Sequence, residues 1–78
     1  MATIPNTLAD LISNNPDKEL PVLITLKEET LPPSLNNKGR FIMENKIFSA
    51  KISGREIVDL KDDPRIEAIE PDMEMQVL

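Results

Sequence analysis

A chain of 78 residues without a cysteine has to be held together by its own apolar core, because neither disulfides nor a thiolate metal site can staple it. At this length the buried fraction of surface is low, and folding stability amounts to roughly 4–8 kcal/mol. Apolar residues make up 40% of the chain and are mostly Ile, Leu and Val, with Phe41 and Phe48 the only aromatics. The expected product is one small domain with a packed aliphatic core.

Charge and residue type narrow the function. A net charge of −5 and two aromatic rings argue against nucleic acid, which asks for a basic patch and, for single strands, stacking platforms. No stretch reaches the apolar length of a membrane span, so no membrane partner is expected. The opening residues, MATIPNTLADLISNN, have neither the basic start nor the apolar run of a signal peptide. The chain is therefore expected to be cytoplasmic or to have lost its targeting segment already. With no His, Cys, Tyr or Trp, an enzyme would have to work with carboxylates and lysines alone, and the 14 acids are spread as on an ordinary solvated surface. No catalytic residue, metal site or cofactor is expected.

Along the chain, Leu8, Leu11 and Ile12 recur at helical spacing, and Asn6 or Thr7 is a plausible N-cap for a short helix over Asn6–Asn15 that Pro16 stops. Pro21 introduces the run Val22-Leu23-Ile24-Thr25-Leu26, which reads as a central strand with Leu23 and Ile24 in the core. From Lys27 to Lys38 the chain is polar and holds Pro32-Pro33 and Asn36-Asn37, which are loop signals. Gly39 opens a second strand to Glu44, and Asn45-Lys46 reads as a turn into a third, Ile47–Ile52. Ser53 and Glu56 stand at the spacing of a capping box, so a helix begins there, with Ile57, Val58 and Leu60 as its apolar face and Asp63-Pro64 as its stop. Ile66–Glu70 alternates as a fourth strand. The order predicts an α+β sandwich with helices on one face of an antiparallel sheet.

Phe48–Leu78, FSAKISGREIVDLKDDPRIEAIEPDMEMQVL, resembles the second half of the subtilisin propeptides, the inhibitor family that chaperones and then blocks subtilases. The most specific part runs from Asp63-Pro64 through Glu70-Pro71-Asp72, and VLITLK is also similar to the family's opening strand. The resemblance implies a ferredoxin-like antiparallel sheet. The chain departs from the family in one place: the family has a helix between its first two strands, but the interval here, about a dozen residues, can recross the sheet and leaves no room for several helical turns, so that first crossover helix is expected to be shortened or lost. The additional N-terminal helix is then expected to cover the vacated part of the sheet.

The resemblance further implies an inhibitor domain over 1–72 and an extended inhibitory tail over 73–78. The partner would be a subtilisin-like serine protease, gripped by the sheet face, with the protein itself a monomer when free. Glu70 and Asp72 would cap the N-termini of two protease helices. Met73, Glu74, Met75, Gln76, Val77 and Leu78 would lie product-like in the protease cleft, with Met75 and Leu78 in its apolar fourth and first pockets. The residues leave open two other functions: an excised propeptide that serves as a folding chaperone, and an unrelated regulatory, ligand-binding α+β module.

Overall fold

Four strands and two helices follow from these patterns, and the computed structural model describes residues 2–43 and 46–72. The elements are α1 (Asn6–Asn14), β1 (Glu19–Leu26), β2 (Gly39–Met43), β3 (Ile47–Ser53), α2 (Gly54–Lys61) and β4 (Ile66–Pro71). The sheet has the order β2-β3-β1-β4, and every neighbouring pair is antiparallel. The protein is thus a small α+β domain built on a four-stranded antiparallel sheet.

Alternation along β1 and β3 sorts the sheet into two faces. Leu20, Val22, Ile24 and Leu26 of β1 are buried, as are Phe48, Ala50 and Ile52 of β3. With Ile66 and Ile69 of β4 they form one core with Leu8 and Ile12 of α1 and with Ile57 and Leu60 of α2. Both helices therefore serve the same side of the sheet. Leu11 and Val58, expected on the apolar helix faces, are instead exposed.

Strand β1 starts earlier than the run from Val22 suggests and carries Pro21 inside it. The Pro21 carbonyl accepts the Asp72 N–H at 3.1 Å. The reciprocal bond is the one proline cannot make, and the ladder to β4 ends at that point, with Val22 opposite Pro71. Leu23, expected in the core, is half-buried on the face away from the helices, because it alternates with buried Val22 and Ile24.

Between β1 and β2 the chain holds one 3-10 turn, Pro33–Leu35, and no α-helix. This interval does more than span the sheet, since Leu35 and Pro32 are fully buried. Gly39 then lets β2 close on β3: a side chain there would collide with the Ser49 carbonyl. At the opposite edge, Thr3 forms a parallel bridge to Ala68, donating to the Glu67 carbonyl and accepting from the Ile69 N–H. The N-terminal segment thus covers the outer edge of β4 as well as supplying α1.

The expected capping box is present. The Ser53 hydroxyl accepts the Glu56 N–H at 3.3 Å, and the Glu56 carboxylate accepts the Ser53 N–H at 3.1 Å. That backbone bond is the main reason the Glu56 carboxyl is held below its ordinary pKa. Asp63 is lowered too, by a two-pronged pair with the Arg65 guanidinium and by the Arg65 N–H. In α1, by contrast, Pro5 is the N-cap, in an extended conformation and with no side-chain cap, so neither Asn6 nor Thr7 plays that part. Ser53→Ala is expected to lower stability by about 1 kcal/mol, a fall of roughly 4–8 °C in Tm for a domain this small. A thermal melt followed by circular dichroism measures it, and an unchanged Tm would mean that the box contributes nothing net.

Candidate functional surface

Because both helices serve one side of the sheet, no helix or strand among the described residues covers the other side. Its residues follow from the registers. Glu70 of β4 lies opposite Leu23 of β1, Leu23 opposite Ser49 of β3, and Ser49 opposite Arg40 of β2. One row of side chains thus crosses all four strands on the open face. Leu23, Arg40, Ile42, Ser49, Glu70, Pro71 and Asp72 line a single surface depression.

Apolar character on this face comes from both edge and centre. Ile42 is 51% exposed, at an irregularity where β2 slips against β3 between Phe41 and Met43. Phe41 points to the helix side, where its ring meets buried Phe48 edge-on, with centroids 5.1 Å apart and planes at 77°. Alternation along this edge strand therefore puts one of its large apolar side chains, Phe41, on the helix side and the other, Ile42, on the open face.

The predicted acidic pair sits at the β4 end. Glu70 is exposed on the open face. Asp72 follows the last residue of β4, is half-buried, and is tied to β1 through its N–H bond to Pro21. The two share the depression, as their i, i+2 spacing near a strand end allows. The expected tail, Met73, Glu74, Met75, Gln76, Val77 and Leu78, lies outside the described residues.

Leu23, Ile42 and Arg40 also belong to this surface, although the sequence assigns Leu23 to the core and gives Ile42 and Arg40 no role. For Leu23 the signal was the parity of its position between Val22 and Ile24. For Arg40 no local signal exists, since its place opposite Ser49 depends on strand register.

Among the described residues no group of three or more acidic side chains could hold a metal ion. No helix among them is long and apolar enough to cross a membrane. No family model, curated protein or solved structure matches the chain.

Proposed function

We propose that the protein inhibits a subtilisin-like serine protease by laying its open sheet face on the protease surface and sending the residues after Asp72 into the substrate cleft. One observation supports this above the others: both helices pack on one sheet face and no described element covers the other, and Asp72 follows β4 on the rim of that open face, beside Glu70. The strand order β2-β3-β1-β4, with α2 joining β3 to β4, fits a ferredoxin-like domain whose first crossover has shrunk to a 3-10 turn. That is the architecture the propeptide resemblance implies.

In this reading the domain positions its own ligand. A strand added to the cleft gains main-chain hydrogen bonds, while alternate side chains enter pockets. Fixing the exit at Asp72 reduces the entropy that a free peptide would lose on binding. Glu70 and Asp72 meet unpaired N–H groups at helix N-termini, where negative charge complements the helix dipole.

The test is an inhibition panel. Subtilisin-type proteases should be blocked at nanomolar to micromolar concentrations and a trypsin-type protease hardly at all, because the two share catalytic groups but not the surrounding surface. Failure to inhibit any of several subtilases would refute the reading.

A further inference from the structure

The open face is electrically lopsided. Its row of side chains runs from Glu70 through Leu23 and Ser49 to Arg40. With strands about 4.8 Å apart, the two charged ends stand roughly 14 Å from each other, with Leu23 between them and Ile42 beside Arg40. At the Arg40 end a neighbouring depression is lined by Lys38, Arg40 and Lys51 and also by Asp72; Lys38 pairs with Glu56 at 3.6 Å, so Arg40 and Lys51 are the cations of β2 and β3 left without an ion pair among the described residues. This happens in a chain whose net charge is −5.

Arg40 also differs from the other two arginines. Arg55 pairs with Asp17, and Arg65 pairs with Asp63. Among the described residues Arg40 makes no ion pair, although acids outnumber bases 14 to 9 in the chain. Arginine is, with Trp and Tyr, one of the side chains that most often anchor a protein interface, because its planar fork matches a carboxylate and its guanidinium is weakly hydrated.

We infer that Arg40 is a second recognition charge of the open face and pairs with a carboxylate on the protease. This rests on the inhibitor reading and adds a requirement to it. The protease surface must present, in line, a positive or helix N-terminal site for Glu70, an apolar ridge for Leu23 and Ile42, and an acidic side chain roughly 14 Å from the first site. A second copy of the chain, turned about a twofold axis, would offer the same signs. The face is small for that purpose: four strands by five residues cover on the order of 300 Å², against about 800 Å² per partner in a standard interface. A protease that also receives the chain beyond Asp72 does not depend on this face alone.

The experiment uses the full chain and a subtilase that it inhibits. Inhibition constants are measured for Arg40→Ala, Arg40→Glu and the double swap Arg40→Glu/Glu70→Arg, at low and high salt, with sedimentation equilibrium of each free protein. Arg40→Glu is expected to weaken inhibition at least about tenfold, Arg40→Ala less, and the double swap more than either, since both ends then face like charge. Raising the salt should shrink these differences, and Tm should stay at the parent value. Unchanged inhibition by Arg40→Glu, with the parent protein fully active, would overturn the role of Arg40 and leave the inhibitor reading standing. A parent that sediments as a dimer, loses it in Arg40→Glu and regains it in the double swap would assign the face to a second copy instead. A parent that inhibits no subtilase would overturn the inhibitor reading and this assignment with it.

Discussion

Deleting residues 1–15 is expected to abolish the cooperative thermal transition at room temperature and above. The segment supplies Leu8, which is wholly buried, together with Ile12 and Ala2, all in the single core. Burying one large aliphatic side chain is worth about 1.5–3 kcal/mol, and its removal exposes the apolar partners it covered. The same deletion strips the Thr3 bridge from the outer edge of β4 and the bond from the Ala2 N–H to the Lys61 carbonyl at the end of α2. Together these losses match the roughly 4–8 kcal/mol available to a domain of this size. Circular dichroism on heating reads the outcome. Leu11→Ala provides a control within α1, because Leu11 is 40% exposed and its loss should shift stability by only about 0.5 kcal/mol. An unchanged melt for the deleted protein would mean that the sheet and α2 fold without α1, and that the crossover residues Pro32 and Leu35 suffice to close the core.

Elements whose cause is local could be read from the sequence, and those that depend on distant partners could not. The capping box is a contact three residues apart, so Ser53 and Glu56 announce α2 directly. The β-branched run from Val22 announces β1 but says nothing of which side chains face the helices, and Leu23 went to the wrong side for that reason. Pro21 reads as a strand boundary because its missing N–H weakens a ladder; only the end of β4 at Pro71 shows why the ladder tolerates it. Pro5 displaced the expected side-chain cap of α1 because an extended proline can precede a helix without donating anything. The burial of Leu35 inside a polar, proline-containing interval leaves no periodic trace. Glu70 and Asp72 are singled out in the sequence by the propeptide resemblance, whereas Arg40 joins the depression they line only through three successive strand registers.

Removing residues 73–78 should leave the fold intact and reduce protease inhibition by at least an order of magnitude. Among the described residues the last in the core is Ile69, β4 closes at Pro71, and Asp72 makes the final hydrogen bond to β1, so truncation after Asp72 takes nothing from the described core or ladder. Its circular dichroism spectrum should therefore match that of the full chain. In the proposed mechanism, however, the truncation removes every cleft hydrogen bond together with Met75 and Leu78, the two pocket anchors. The remaining contact is the small open face, which is too limited to hold a protease tightly. The single change Leu78→Asp should come close to the truncation, because a carboxylate carried into an apolar pocket costs several kcal/mol unless it is protonated or paired. Its effect should therefore lessen as the assay pH is lowered towards the ordinary carboxylate pKa, about 4, to the extent that the protease tolerates it. Full inhibition by both variants would remove the cleft from the mechanism and leave the row from Glu70 to Arg40 as the whole binding surface. Inhibition lost by truncation but kept by Leu78→Asp would instead assign the binding energy to main-chain hydrogen bonds or to Met75.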